Sequence, residues 1–203
     1  MTKKTIYIAR HGQTDYNLQG IVQGSGVDSD LNETGLLQAS KLYEKYSSHP
    51  LELIITSALK RTIQTAEFFI QKPTPHKIYS AFNEIDWGHL EGIKPTPEDR
   101  RTFYQITQAW KKGNHDLKIK GGESPLEVQQ RMKPAIEELI EESGNNILLV
   151  SHGRAMRILL CTMLRLDLSQ MDDFPHTNTS VYQLEWTKKG FELKVRNNTD
   201  HLV

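Results

Sequence analysis

Short apolar runs rich in β-branched residues alternate with longer stretches of helical periodicity, and two of the runs end alike, in a histidine followed by a glycine. This alternation constrains the fold more than any other feature, because strands separated by amphipathic helices assemble into a parallel sheet covered by helices. The first run is Thr5–Ala9, closed by Arg10-His11-Gly12. Leu53–Thr56 is a second, Lys77–Ala81 a weaker third, and Ile147–Val150, closed by Ser151-His152-Gly153, reads as the central strand. Helices are expected from the Asn32 cap to Tyr46, with Leu36, Ala39, Tyr43 and Tyr46 inward, and from Leu59 to Ile70, with Leu59, Ile63, Ala66 and Ile70 inward. Three more are expected: Thr96 to Lys112, stopped by Gly113; the Ser124 capping box to Gly144; and Arg154 to Leu166. Val181–Trp186 and Phe191–Arg196 alternate in polarity around Lys188-Lys189-Gly190 and predict an antiparallel hairpin. The expected class is α/β: three layers, a mostly parallel central sheet with helices on both faces, and a C-terminal antiparallel hairpin. No repeat or linker divides the 203 residues, so one domain over 1–203 is expected, with 85–123 as a helical cap insertion over a site.

Composition removes several function classes. Lys plus Arg and Asp plus Glu number 25 each. No global basic field exists to hold nucleic acid by counterion release, or to bind an acidic membrane surface. No run approaches the roughly 18 apolar residues of a membrane span. The apolar stretch after Met1-Thr2-Lys3-Lys4 is too short for a signal peptide, and a cytoplasmic protein is expected. The single cysteine, Cys161, excludes an intrachain disulfide and is expected to be packed and inert.

In an open α/β sheet, ligands bind beyond the carboxyl ends of the strands. Two such ends carry histidines, and the following glycines are expected to let the backbone turn sharply toward a ligand. The second strand supplies Ser57, then Arg61 at the start of its helix, where free N–H groups favour anions. A lone histidine or arginine is more often structural or solvated than functional. Two histidines, two arginines and a helix start together describe a site for a tetrahedral dianion, namely phosphate.

Arg10-His11-Gly12-Gln13-Thr14 resembles the signature of the histidine phosphatase superfamily, the phosphoglycerate-mutase-like fold. The resemblance continues through Asn17, Gln23-Gly24, Leu31-Asn32-Glu33-Thr34-Gly35, Ser57-Ala58-Leu59-Lys60-Arg61-Thr62, Glu84, Gly88, Glu91-Gly92, Gly121-Gly122-Glu123-Ser124 and Ser151-His152-Gly153. It implies that His11 is the nucleophile, that Arg10, Arg61 and His152, with Gly153, bind the phosphoryl oxygens, and that Glu84 is the general acid and later the base. It places Asn17 and Gln23 near the phosphate pocket. It implies no cofactor and no metal, and a small phosphorylated metabolite as substrate. Neutral imidazole can attack phosphorus and split one hard displacement into two. Arg10 and Arg61 should keep His11 neutral, and a bound dianion should favour the protonated form of Glu84.

The mutase branch shares these residues but carries a glutamate where Gln13 stands and a longer insertion after the acid. A phosphatase is therefore the expected activity, with a cofactor-dependent phosphoglycerate mutase as the alternative and a non-catalytic phosphate-binding module a third reading. Other features carry bland expectations. His49, His76, His115 and His201 are expected at the surface and His89 at a rim. Trp87, Phe103, Tyr104 and Trp110 are read as core first and cap lining second, and Gly24-Ser25-Gly26 as a turn. Asp86 and Glu91 are reserve candidates for the acid. No P-loop, His-Glu-x-x-His or paired-cysteine motif is present.

Overall fold

A computed structural model describes residues 3–203; Met1 and Thr2, part of the basic N-terminal stretch, lie outside the described residues. Six strands form one sheet: β1 (Lys4–Arg10), β2 (Leu53–Thr56), β3 (His76–Ile78), β4 (Asn146–Ser151), β5 (Val181–Thr187) and β6 (Gly190–Asn198), in the order β3-β2-β4-β1-β5-β6. β1 pairs parallel with β4, β4 with β2, and β2 with β3. β5 runs antiparallel to β1, and β6 antiparallel to β5. The α/β class, the parallel centre and the C-terminal hairpin are as expected.

Six helices complete the layers: α1 (Asp15–Gln19), α2 (Glu33–Tyr46), α3 (Lys60–Ile70), α4 (Pro97–Lys111), α5 (Pro125–Glu141) and α6 (Gly153–Leu164). Successive strand residues point to opposite faces. Ile6 and Ile8 therefore join Leu149 and the inner residues of α5 and α6, whereas Tyr7 and Ala9 join Leu148, Val150 and the inner residues of α2 and α3. The segment 85–123 gives Ile85, Trp87, Leu90, Trp110 and Ile119 to the α5–α6 side of this core. α4 starts at a Thr96 capping box with proline in its first turn, and α5 starts likewise at Ser124.

Several local expectations differ from the structure. α2 buries Gly35, Ala39, Leu42 and Tyr46, while Leu36 is 51% exposed. The inner face is set by Gly35, whose backbone lies so near Gln13 that a Cβ there would fall 2.1 Å from the Gln13 carbonyl oxygen. α3 turns Arg61, Thr62 and Thr65 inward beside Ala66 and Phe69, rather than an apolar stripe through Ile63 and Ile70. β3 ends at Ile78, and a single 3-10 turn occupies Ser80–Phe82. α5 ends at Glu141, before Gly144, because Glu142 leaves the helix to take Lys77 and Tyr79 on its carboxylate and Lys4 on its carbonyl. His201 is buried and hydrogen-bonds Thr179 Oγ1 at 3.1 Å, while His49, His76 and His115 are half-buried. Trp110 is core, and Tyr104 lies exposed at the surface.

Candidate active site

The parallel pairing of β1 and β4 sets Arg10 opposite Ser151, so both strands release their histidines at the same edge. The His11 N–H donates to the Ser151 carbonyl at 2.9 Å, and the two imidazole rings stand 5.2 Å apart. The turn after His11 is fixed from α3, where Thr65 Oγ1 accepts from the Gly12 N–H at 2.9 Å. Neither Gly12 nor Gly153 has a positive φ. Both are required by close approach: a Cβ on Gly12 would meet the Gly35 carbonyl oxygen at 2.6 Å, and one on Gly153 would meet the His176 ring at 2.9 Å. The glycines thus bring protein against protein, where a sharp turn toward a ligand was expected.

Hydrogen-bond polarity assigns the protons. His11 Nδ1 lies 2.7 Å from the Gly12 carbonyl, which can only accept, so Nδ1 carries the hydrogen and Nε2 keeps its lone pair. At His152 the order is reversed. Arg61 Nε donates to Nδ1 at 3.1 Å, so Nε2 carries the hydrogen and donates to Ser57 Oγ at 2.8 Å. Ser57 Oγ faces Thr62 Oγ1, which donates in turn to the Leu59 carbonyl. Burial, followed by the cationic Arg61, holds both histidines well below the ordinary histidine value, with Arg10 adding to the effect. Both rings are therefore neutral over the physiological range.

His11 opens on a cavity of about 370 Å³, whose wall includes Arg10, Asn17, Gln23, Glu84 and Gly153. Arg10 is also lowered, to about 10, chiefly by burial. Its Nε is buried with no partner, and its terminal N–H faces His176 Nδ1 at 3.2 Å. An unpaired buried donor of a guanidinium is costly unless an anion fills the space before it. Asn17 Oδ1 accepts from Thr14 N–H and from Asn178, which leaves its amide N–H groups free. Gln23 is tied to Thr14 at 2.7 Å. Glu84 is fixed at the start of α6 by three backbone N–H groups, from Ile85, Arg154 and Ala155, at 2.7–3.0 Å.

Arg61 and His152 stand behind this wall, fully buried. Arg61 holds the carbonyls of Val27 and Gly24 as well as His152. The start of α3, expected to offer free N–H groups to an anion, is instead occupied by Asp28, which takes the Lys60 N–H at 2.7 Å. Gln13 turns toward Asn32. Glu91 accepts from Gly26 and Trp87, and Asp86 from Gly88, so both reserve acids are engaged away from His11. His89 is exposed beside the Lys120 carbonyl. Cys161 is buried, its thiol pushed up to about 12. Among the described residues no three His, Cys, Asp or Glu side chains are placed to hold a metal ion.

Three polar cavity residues escaped the sequence reading, Arg154, Arg157 and His176, as did the apolar Ile21 and Val22. Arg154 and Arg157 share Asp172, at 2.7 and 2.6 Å. Their signal was legible, since they lie one helical turn apart directly after His152-Gly153. His176 gave no signal, because it sits in an irregular segment before β5 and meets Arg10 only in the folded chain. Burial, then Arg10, lowers it to about 3.

Five of the eight histidines are lowered in this way. Such groups bind protons more readily when the chain is unfolded, so stability is complete above the unfolded value near 6.5 and falls as pH drops below it. Each contributes a slope of at most about 1.4 kcal/mol per pH unit. Urea midpoints should therefore fall steeply between pH 7 and 5, and His176→Asn should flatten the dependence. A flat profile over that range would contradict the buried neutral histidines.

Fold and site together define an α/β protein in which a neutral histidine and an arginine whose Nε has no partner border one cavity. The chain belongs to the histidine phosphatase superfamily (branch 1), whose family model matches residues 6–199. It is 31% identical to a probable phosphoglycerate mutase GpmB of Proteus mirabilis, over 98% of this chain and 94% of that one. It is also 31% identical to phosphoserine phosphatase 1 of Hydrogenobacter thermophilus, over 97% and 93%. The solved structure of a mycobacterial glucosyl-3-phosphoglycerate phosphatase with bound VO3 superposes with a TM-score of 0.83 at 26% identity, covering 97% of this chain and all of the other. The relatives thus include both phosphatases and a mutase-like protein. Among the described residues no helix is long and apolar enough to cross a membrane.

Proposed function

We propose that the protein is a phosphomonoesterase acting on small phosphorylated metabolites through a phosphohistidine on His11, with no metal and no other cofactor. The observation that carries this reading is the bare Nε2 of His11 in the same cavity as the unpaired Nε of Arg10. Nε2 attacks phosphorus, the ester P–O bond breaks, and a protonated Glu84 gives its hydrogen to the departing alkoxide. Water then attacks the phosphohistidine, Glu84 takes back a proton, and phosphate leaves. Arg10 matches the charge on the equatorial oxygens directly, and Arg61 and His152, behind the wall, do so once each exchanges one of its protein hydrogen bonds. Asn17, Gln23 and Gly153 bound the space for those oxygens. The lone buried thiol fits a reducing compartment, and we place the activity in the cytoplasm.

The test is release of phosphate from an aryl phosphate in the presence of chelator, with quenching in base to trap a labelled, acid-labile phosphohistidine. Full activity with chelator and label on His11 are expected. Loss of activity with chelator would remove the metal-free part, and absence of label would remove the intermediate. A cofactor-dependent phosphoglycerate mutase is a second reading, favoured by the likeness to the Proteus protein. Against it stands Gln13, whose amide is turned to Asn32. Interconversion of 2- and 3-phosphoglycerate with a bisphosphoglycerate primer, faster than phosphate release, would favour the mutase.

A further inference from the structure

The phosphate cavity shares part of its wall with a second cavity. Val22 and Phe103 line both, and the second, of about 300 Å³, is completed by Leu90, Ile93 and Pro95. Phe103 is held against Trp87, another wall residue of the phosphate cavity, with ring centroids 4.8 Å apart. The step between the two spaces is therefore a fixed aromatic shelf. The second cavity is apolar except at its edge, where Asp99 and Arg100 set opposite charges. The Asp99 carboxylate is already engaged, accepting from the Thr96 N–H and hydroxyl at 2.8 and 2.7 Å. Ile93 is 44% exposed, so a ligand seated there would remove apolar surface from water.

We propose that this annex receives the alcohol side of the substrate, and that the preferred esters carry an uncharged ring or branched hydrocarbon a few bonds from the phosphate. The occupant follows from adjacency: a molecule whose phosphate faces His11 and Arg10 has Val22 and Phe103 beside it, and both residues also border the annex. A small sugar acid, whose carboxylate would enter an apolar space with a charge-balanced edge, gains nothing there. This inference rests on the phosphatase reading of the neighbouring cavity and adds its substrate class.

Ethyl phosphate and 2-phenylethyl phosphate release alkoxides of similar basicity, so their comparison reads the annex rather than the chemistry. The phenylethyl ester should have a kcat/KM about 10–100-fold higher, as expected for burying one ring in a preformed apolar site. Ile93→Asp should cut that ratio about 10-fold, since a carboxylate there opposes an apolar guest. Leu36→Asp, an exposed position on the other side of the sheet, should leave the ratio unchanged. Equal kcat/KM for the two esters, or a ratio untouched by Ile93→Asp, would overturn the annex alone. Release of phosphate from neither ester would overturn the phosphatase reading and the annex with it.

Discussion

His11→Ala should lower phosphatase turnover by about 10⁴–10⁶-fold, the scale on which removal of a covalent nucleophile acts. The loss should be in kcat, because Arg10 and Arg154, which line the cavity, remain to bind the anion. Vanadate or inorganic phosphate should still raise the melting temperature of the variant, since any ligand of the folded state stabilises it. That retained shift separates a missing nucleophile from a collapsed site. No labelled phosphohistidine should form. Turnover within about 10-fold of the parent protein would place the nucleophile elsewhere. Unlike the other histidines in contact with the arginines, His11 has a bare Nε2 facing the cavity. His152 has both ring nitrogens engaged, and His176 presents Nδ1 to Arg10.

Glu84→Gln should slow alkyl phosphates by roughly 10²–10⁴-fold, the usual contribution of a positioned general acid. A nitrophenyl ester, whose leaving group hardly needs a proton, should be slowed far less in the phosphorylation step. Rapid-quench measurement of phosphohistidine formation makes the comparison, and equal slowing of both esters would show that Glu84 is not the acid. The pH profile gives an independent check. Attack requires neutral His11, and burial beside Arg61 and Arg10 keeps it neutral well below the ordinary histidine value. The acid limb of kcat/KM is thereby displaced to low pH. A bell with its optimum on the acid side of neutral is expected, with substrate ionisation near pH 6 contributing. The same buried histidines weaken the fold as pH falls, so bound phosphate should be most protective in that range.

The parts of the protein legible in advance are those fixed by local rules. Strand β2 was readable to the residue, because three apolar residues and a β-branched threonine, flanked by a turn and a polar Ser57, leave one solution. The starts of α4 and α5 were readable because Thr96-Pro97 and Ser124-Pro125 satisfy helix-start N–H groups by themselves. That Arg10, His11 and Glu84 line one cavity, with His152 behind it, agrees with where Arg-His-Gly and Ser-His-Gly follow strand-like runs and with the order of the motifs along the chain. Periodicity failed on α3 for a definite reason. Its inner face meets hydrogen-bonding groups of the site, Gly12, Ser57 and His152, so its buried residues are polar and the apolar stripe lies elsewhere.

The sequence by itself determined the alternation of strands and helices, the helix caps, and which residue types stand at the strand ends, because each depends on neighbours within a few positions. Only the tertiary structure decided which ring nitrogen carries the hydrogen in the two histidines, since the acceptor for His11 is a backbone carbonyl shaped by the Gly12–Gly35 contact, and the donor for His152 is a guanidinium 91 residues away. It also decided that Asp28 rather than a ligand occupies the start of α3, that His176 supports Arg10, and that an apolar annex adjoins the anion cavity. These depend on contacts between segments far apart in the chain, which form only when burial of the two core faces brings the segments together, and no local pattern encodes them.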